Sequence, residues 1–386
     1  MIDRSPGGPI RFVNLDRAAA QKGESANAIG LVNGIFHAAI EEGASDFHLE
    51  PAGAHSLLRF RVDGLLREME DLESAEHEAV INRIKVLSHL DIGEKRVPQD
   101  GSLRLQLRGR EIDIRISTFP TIHGEKLVAR ILDPVNQQVQ LDKLGFSSEQ
   151  LDVFQQSIRH SQGFVLVTGP TGSGKTTTLY AALLAIRDPQ LNIMTLEDPV
   201  EYKIPQLTQT QIRPAIGFDY QTAMRHVLRQ DPDIILIGEI RDGESARLAV
   251  QASLTGHLIF STLHTNSCAD SFLRLVELGV QPIMLASTLR LIVAQRLLRR
   301  LCPTCRGSEP VPDCPTCKGS GYAGRLAVFE LLSFTDEVRK RLLTCGTLDA
   351  IHLALSEETS GSLYASGLRL VEEGVTDRSE IQRVLS

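Results

Sequence analysis

Apolar and polar residues alternate over several short stretches in the first third of the chain. The alternating apolar positions are Leu58, Phe60 and Val62, then Leu103, Leu105 and Leu107, then Ile112, Ile114 and Ile116. A period of two predicts β-strands that bury one face and expose the other. Helical spacing at 29–42, and again between Val80 and Leu87, predicts two helices beside this sheet. The exposed face is rich in arginine, for which simple solvation is the alternative to a function.

The pattern changes after about residue 150, where short unbroken apolar runs alternate with helical stretches. Strands are predicted at 164–167, 193–196, 234–237 and 258–262. Runs without alternation are typical of strands that are buried on both faces in a mostly parallel sheet. The second part of the chain is therefore predicted to be an α/β domain.

These changes divide the 386 residues into segments of different character. We predict a poorly ordered lead-in, an α+β domain, a linker, an α/β core, a cysteine-containing knuckle and a C-terminal helical subdomain. Their respective ranges are 1–28, 29–132, 133–148, 149–301, 302–320 and 321–386. The linker is predicted from Asp133-Pro134 and the glutamine-rich polar stretch that follows.

A phosphate-binding loop lies between the strand at 164–167 and the next predicted helix. Its residues are Gly169, Pro170, Thr171, Gly172, Ser173, Gly174, Lys175 and Thr176, and Thr177 follows them in the predicted nucleotide site. In such a loop, backbone N–H groups converge on phosphate oxygens and the lysine reaches the terminal phosphates. The Thr176 hydroxyl can bind Mg²⁺. The order of strand, loop and helix supports a site for a nucleoside triphosphate.

Acidic residues follow two of the predicted strands, at the edge of the sheet where such folds bind ligands. Glu239 is predicted to organise Mg²⁺ or to polarise water, and Glu197 or Asp198 to orient the attacking water. The alternative is that these are surface acids that close strands. Gly238 fills the position where many ATPases with a phosphate-binding loop have an aspartate.

Other candidates for the site are two histidines and several arginines. His257 and His264 bracket the strand at 258–262 and could contact a terminal phosphate, or could be ordinary core residues. Phosphoryl transfer also needs positive charge beyond the loop lysine, often from an arginine of a neighbour. The candidate arginines, among which composition does not choose, are Arg115, Arg130, Arg225, Arg229 and Arg325.

Four of the six cysteines form two Cys-x₂-Cys pairs. These are Cys302, Cys305, Cys314 and Cys317. Each pair supplies half of a tetrahedral site, so the pattern predicts a closed structural zinc site. Reduced structural thiols are the alternative.

Composition limits the possible functions of the chain. It is 42% hydrophobic and 23% charged, with a net charge of −7 and no basic tail, which argues against a protein that mainly grips nucleic acid. The N-terminus lacks the apolar core of a signal peptide. We therefore expect a cytoplasmic protein that reaches a membrane only through partners.

Taken together, these motifs resemble the secretion and type IV pilus assembly ATPases, and the type II secretion traffic ATPases most closely, from about residue 29 onward. The segments that carry the resemblance are 44–51, 99–101, 114–118, 120–121, 123–126, the phosphate-binding loop, 196–201, 228–242, 255–266, 294–297 and 321–325. The resemblance implies a RecA-like P-loop ATPase core, a preceding small PAS-like α+β domain and a tetracysteine zinc knuckle. ATP, Mg²⁺ and Zn²⁺ are the implied ligands.

The resemblance also implies roles for individual residues. Glu239 would be the catalytic acid, Glu197 and Asp198 would belong to an acidic box, and His257 and His264 would flank the γ-phosphate. The implied arginine contacts to the nucleotide are Arg115 and Arg130 from the first domain, Arg225 and Arg229 from the core, and Arg325 as a further phosphate-side residue.

The function implied by the resemblance is that of a hexameric motor that drives pseudopilus or pilus assembly and protein secretion through an inner-membrane platform protein. The cysteine knuckle favours export or assembly over pilus retraction. Alternatives are a pilus-extension or DNA-uptake ATPase, another nucleic-acid motor, a weakly hydrolysing regulatory paralogue, and a small-molecule kinase.

Two features depart from the family pattern. The knuckle spacer between Cys305 and Cys314 is short, so the protruding loop is expected to be reduced. The chain begins almost at the first α+β domain, so docking through a further amino-terminal domain is expected to be absent, replaced or made elsewhere.

Overall fold

The structure is a computed structural model that divides into two compact units, residues 1–137 and 138–386. The residues it describes are 12–14, 28–53, 55–69, 71–133, 140–307, 311 and 314–385. Of the predicted lead-in, 1–11 and 15–27 lie outside the described residues, whereas Phe12–Asn14 forms strand β1. Residues 134–139 of the predicted linker also lie outside them.

The first unit is a sheet with helices packed on one face. Its further elements are α1 (Ala28–Glu41), β2 (Asp46–Ala52), β3 (His55–Val62), β4 (Leu65–Glu68), β5 (Leu72–Glu73), α2 (Ser74–Leu87), β6 (Gln99–Leu107), β7 (Arg110–Thr121) and β8 (Gly124–Leu132). Within the described ranges the strand order is β1-β6-β7-β8-β2-β3-β4, with β5 beside β3. The predicted alternation is confirmed, because the inward side chains of β3, β6 and β7 are buried in one core with the apolar sides of both helices.

A buried ion pair joins helix α2 to strand β8 in this unit. Lys85 Nζ lies 2.5 Å from a Glu125 carboxylate oxygen, and the two side chains are 0% and 5% exposed. The ammonium also donates to the Glu94 carbonyl at 2.8 Å. Two desolvated charges are tolerable here because the opposite charges are in direct contact.

The second unit is an α/β sheet with helices on both faces. Its strands are β9 (Gly163–Thr168), β10 (Ile193–Glu197), β11 (Thr208–Gln211), β12 (Ile234–Ile237), β13 (Leu258–Leu263), β14 (Leu289–Leu301) and β15 (Tyr322–Ser333). Its helices are α3 (Ser148–Ser157), α4 (Lys175–Ile186), α5 (Tyr220–Val227), α6 (Gly243–Leu254), α7 (Cys268–Glu277), α8 (Pro282–Thr288), α9 (Asp336–Thr344), α10 (Leu348–Glu357), α11 (Leu363–Glu372) and α12 (Arg378–Leu385), with short 3₁₀ turns at Leu141–Lys143 and Pro214–Ile216.

The strand order of this sheet, over the residues described, is β11-β10-β12-β13-β9-β14-β15. All neighbouring strands are parallel except β14 and β15, which are antiparallel. Strands β9, β10, β12 and β13 are buried along their whole length, and separate apolar clusters fill the two faces of the sheet. The predicted α/β class is confirmed.

The C-terminal region differs from its prediction as a helical subdomain over 321–386. Residues Tyr322–Ser333 form strand β15, which pairs with β14 at the edge of the core sheet. The cause is the apolar run from Ala327 to Leu332, in which Ala327, Val328, Phe329, Leu331 and Leu332 are buried. Helices follow only from Asp336 onward.

The end of the predicted linker also packs into the second unit. Leu141 and Leu144 are buried in its core, and the Ala327 N–H donates to the Leu144 carbonyl at 3.0 Å. Among the described residues, no helix combines the length and the apolar character that a membrane crossing requires.

Replacing Lys85 with Met should destabilise the first unit strongly. The substitution leaves the Glu125 carboxylate buried without its partner, which costs about 3–5 kcal/mol. Urea-dependent hydrogen exchange of peptides from β6–β8 in the full chain would measure the loss. Lys95→Met is the matched control, since Lys95 pairs with Glu78 at the surface, where a pair contributes only about 0–1 kcal/mol. Equal effects of the two substitutions would contradict this account.

Candidate nucleotide-hydrolysis site

The phosphate-binding loop connects the buried strand β9 to helix α4. Residues 169–174 form the turn, and helix α4 begins at Lys175, with Thr176 and Thr177 in its first turn. Gly172 and Gly174 adopt left-handed conformations, with φ of 79° and 88°, which side chains with a Cβ rarely tolerate. The glycine spacing therefore fits a loop that turns sharply and presents backbone N–H groups at a helix N-terminus.

Lys175 is drawn back over this loop. Its Nζ donates to the carbonyls of Gly169 at 2.7 Å and Pro170 at 3.1 Å, and the side chain is largely buried. Burial lowers the pKa of Lys175 to about 8, with the charge of Glu239 acting in the opposite direction. An anionic ligand on the loop would favour the charged ammonium, so this site suits a phosphate group.

Glu239 follows strand β12 at the same edge of the sheet. Arg241 donates to its Oε1 at 2.5 Å, and Nε2 of His264 lies 3.5 Å from its Oε2. Burial opposes ionisation, but the hydrogen bond from Arg241 and the nearby charges of Arg241, His264 and Lys175 lower the pKa of Glu239 below its ordinary value. The carboxylate is therefore ionised and able to accept a proton or a hydrogen bond from water.

His264 directly follows strand β13, whose last residue, Leu263, is in register with Thr168 at the end of β9, from which the loop departs. Burial and the charge of Lys175 lower the pKa of His264, while Glu239 raises it. A neutral imidazole can both donate and accept a hydrogen bond. Lys175, Glu239 and His264, predicted from separate segments, thus come together around one loop.

Glu197 is not presented to this loop as predicted. Its side chain is 4% exposed and accepts hydrogen bonds from Tyr180 of helix α4 and from Thr195. Burial raises its pKa, while the hydrogen bonds from Thr195 and Tyr180 oppose that shift. The last residue of β10 points into the core beneath α4, whereas the next residue, Asp198, is exposed. The expectation that Glu197 orients water is corrected: it holds the helix that follows the loop.

His257 lies at the wrong end of its strand for the predicted contact with phosphate. It precedes β13, whose first residue pairs with Gly163 at the start of β9, whereas the loop leaves the other end of β9. Its Nδ1 lies 2.9 Å from the Ala252 carbonyl. The expectation that both histidines flank one γ-phosphate is therefore corrected within this chain, because a whole strand separates them.

The three candidate arginines of the second unit occupy different places. Arg225 on helix α5 forms an ion pair with Glu244, and Arg229 lies 2.6 Å from a ring nitrogen of His226. Arg325 is exposed on β15, where it pairs in register with Arg299, beyond the end of β9 and towards the cysteines.

In the first unit, Arg115 and Arg130 are directly opposite each other on β7 and β8. Arg130 donates to Asp46 at 3.1 Å on the face away from the core. Two adjacent guanidinium groups on one face suit a polyanion such as a triphosphate.

Tyr220 is a residue of the site that the sequence patterns did not indicate. A Cβ added at Gly238 would lie 2.8 Å from its hydroxyl oxygen and 3.2 Å from the Leu196 carbonyl. This crowding gives a physical reason for glycine at the position where an aspartate was expected. Arg241 was missed as well, although its position two residues after Glu239, between β12 and α6, was a usable signal.

The four cysteines meet in one cluster. Their Sγ atoms all lie within 4.8 Å of one another, with separations of 3.7 Å between Cys302 and Cys314 and 3.6 Å between Cys305 and Cys317. The edge of a tetrahedron around zinc with Zn–S bonds of about 2.3 Å is about 3.8 Å, so the donor set fits this ion.

The two cysteine pairs also form a short repeat. Each Cys-Pro-Thr-Cys is followed by a basic residue and a glycine, Arg306-Gly307 and Lys318-Gly319, all with positive φ. In each copy the basic residue's N–H donates to the carbonyl of the first cysteine at 2.8 Å. The two cysteine pairs therefore share one backbone conformation as well as one sequence pattern.

The fold and the loop define a RecA-like P-loop ATPase. Residues 21–383 match the family model described as Type II/IV secretion system protein. The type II secretion system protein HxcR of Pseudomonas aeruginosa is 46% identical over 365 residues, which cover 94% of this chain and 78% of that protein. The type II secretion system ATPase E of Vibrio cholerae is 41% identical over 382 residues, covering 94% and 76%. The chain therefore belongs to the Type II/IV secretion system protein family.

Solved structures agree on the fold. The crystal structure of the pilus retraction motor PilT with bound ADP matches with a TM-score of 0.64 and 26% identity, covering 90% of this chain and 95% of that chain. The X-ray structure of the Legionella pneumophila ATPase DotB has a TM-score of 0.72 and 21% identity, covering 97% and 98%.

Gly238→Ala should lower both the melting temperature and the ATPase rate, because the new methyl group collides with the Tyr220 hydroxyl. Overpacking of this kind costs about 1–3 kcal/mol. Adding Tyr220→Phe removes the hydroxyl and should restore more than half of the lost melting temperature. If the double variant melts no higher than Gly238→Ala alone, the crowding is not the reason for glycine here.

Proposed function

We propose that this chain is the ATPase motor of a type II secretion machine, working as a homo-hexamer on the cytoplasmic side of the inner membrane. The protein hydrolyses ATP and belongs to a secretion system. The observation that carries the hydrolytic mechanism is the meeting of Lys175, Glu239 and His264 at the edge of the sheet where the phosphate-binding loop lies.

Different residues of the second unit have different roles in the proposed hydrolysis. Loop N–H groups and Lys175 bind the β- and γ-phosphates, while the Thr176 hydroxyl, exposed on the first turn of α4, would hold Mg²⁺. Bound Mg²⁺ would neutralise charge on the phosphate oxygens. Glu239, ionised and fixed by Arg241, accepts a hydrogen bond from the attacking water, and His264 donates to the γ-phosphate.

Positive charge for the transition state is proposed to come from outside the loop. Arg115 and Arg130 are the main candidates, since they lie side by side on the first unit. Arg225, Arg229 and Arg325 are secondary candidates that would need a neighbouring subunit. With these arginines supplied by a neighbouring subunit, each subunit would hold only part of its own catalytic site, and the relative movement of domains around the ring would convert hydrolysis into work.

The motor is proposed to drive pseudopilin assembly through an inner-membrane platform protein, with no direct contact to nucleic acid. A pilus-extension motor is the second candidate, favoured by the likeness to the pilus retraction motor PilT. The cysteine cluster is proposed to hold one structural Zn²⁺ through Cys302, Cys305, Cys314 and Cys317. All four thiolates would be used, which leaves the ion no open position for catalysis.

Lys175→Ala and Glu239→Gln should separate binding from hydrolysis. Lys175→Ala should abolish turnover and weaken nucleotide binding, because the ammonium that neutralises the phosphates is gone. Glu239→Gln should keep ADP affinity within about twofold yet lower kcat by about 10²–10³-fold, the size of effect expected for one preorganised catalytic group. Calorimetric titration with ADP and a phosphate-release assay would measure the two quantities.

Glu277→Gln is the matched control for these variants, since Glu277 pairs with Arg274 at the surface of α7. It should leave both quantities unchanged. Full turnover by purified Glu239→Gln protein would remove Glu239 from its assigned role.

Elemental analysis should find about one zinc per chain. Cys314→Ser should reduce that content to near zero, because a closed tetrahedral site loses a quarter of its donors. Cys345→Ser is the control, since Cys345 lies outside the cluster and should leave the zinc content intact. Absence of zinc from the unmodified protein would overturn the assignment.

A further inference from the structure

Strand β14 runs beside the phosphate-binding loop and presents Gln295 to it. The parallel register pairs Ala294 with Thr168, the last residue of β9, so Gln295 lies level with the first residue of the loop. The Gln295 side chain is buried, with 1% exposure. A buried amide with no function in the core would be costly unless its hydrogen bonds are satisfied.

The amide of Gln295 forms one hydrogen bond to the end of the loop and one to the beginning of helix α4. Its Nε2 donates to the Ser173 carbonyl at 2.8 Å, and its Oε1 accepts from the Thr178 hydroxyl at 2.8 Å. The first bond fixes the loop just before its last glycine, and the second fixes the first turn of the helix. One side chain therefore sets the distance between the phosphate-binding turn and the helix that follows it.

Two loop glycines are required by this strand. A Cβ at Gly169 would lie 2.5 Å from the Gln295 carbonyl oxygen, and a Cβ at Gly174 would lie 2.8 Å from Gln295 Nε2. Arg296 completes the support, because it donates to the Gln295 carbonyl at 3.0 Å and to Asn266, two residues after His264. The loop is thus seated against β14 at its beginning and at its end.

We propose that Gln295 is a positioning residue for nucleotide binding, which holds the phosphate-binding loop in its binding conformation before nucleotide arrives. This inference rests on the proposed nucleotide role of the loop. Gln295 acts through the Ser173 carbonyl and the Thr178 hydroxyl. Preorganisation of this kind raises affinity because no free energy of binding is then spent on ordering the loop.

The decisive variant is Gln295→Met, which keeps the length of the side chain and removes both hydrogen bonds. ADP affinity should fall about tenfold, the factor that corresponds to one lost buried hydrogen bond with unsatisfied partners. Backbone amides of 169–178 should exchange faster with solvent in the nucleotide-free protein. Thr178→Val, which removes only the second bond, should weaken ADP binding less than Gln295→Met does.

Gln150→Met is the matched control, because Gln150 is also buried and bonded through both ends of its amide, to Phe329 and Ser147, away from the loop. It should leave ADP affinity and loop exchange unchanged. The proposal is overturned if Gln295→Met has wild-type loop exchange and binds ADP within about twofold of wild type, or if Gln150→Met weakens ADP binding equally. If Gln295→Met does not fold, the Thr178→Val variant provides the test. Hydrogen exchange of its loop amides at the wild-type rate would then overturn the proposal.

Failure of the wild-type protein to bind ADP would instead contradict the proposed function. Loop exchange measured without nucleotide would still test the positioning role in that case.

Discussion

Parallel pairing of the central strands in register is the constraint on which the rest of the site depends. Ile237 at the end of β12 is level with Leu196 on β10 and with Ser261 on β13, and Leu263 is level with Thr168 on β9. The strand ends therefore open onto one edge of the sheet, as in other open α/β sheets. The phosphate-binding loop, Glu239 and His264 meet there although they are far apart in sequence. The same constraint keeps His257 away, because a residue before a parallel strand emerges at the opposite edge.

A second layer of polar contacts holds that edge in place. Glu197 anchors helix α4 from beneath through Tyr180, and Gln295 anchors the loop from the side through Ser173. Both are buried polar groups with satisfied hydrogen bonds, and such groups specify one arrangement of their surroundings. Of the proposed reacting groups, Glu239 and His264 are partly exposed and Lys175 is buried, while the positioning groups Glu197 and Gln295 are both buried. A substitution in either group would slow the reaction, but only the second would loosen the loop in the absence of nucleotide.

Local patterns in the sequence were sufficient for the first sheet, the central strands of the second sheet and the phosphate-binding loop. Alternation predicted the first sheet, unbroken apolar runs predicted the central strands, and the glycine spacing predicted the loop and Lys175. Such patterns failed where a side chain can point in either of two directions. Glu197 and Asp198 are adjacent, and only the pleat of β10 decides that the first faces the core. Strand β15 was missed although its apolar run was visible in the sequence, because the β14 partner that makes the run a strand lies across the cysteine segment. The proximity of Tyr220 to Gly238 is likewise non-local.

Under the proposed function, Lys175 and Glu239 form only half of a catalytic site, and the arginines needed for phosphoryl transfer come from a neighbouring subunit. That claim is tested most directly by measuring ATPase rate per chain against chain concentration, with the assembly state followed by sedimentation under the same conditions. Completion of the site by a neighbouring subunit predicts that the rate per chain rises in step with the fraction of hexamer. A monomeric chain that hydrolyses ATP at the full hexamer rate would contradict it.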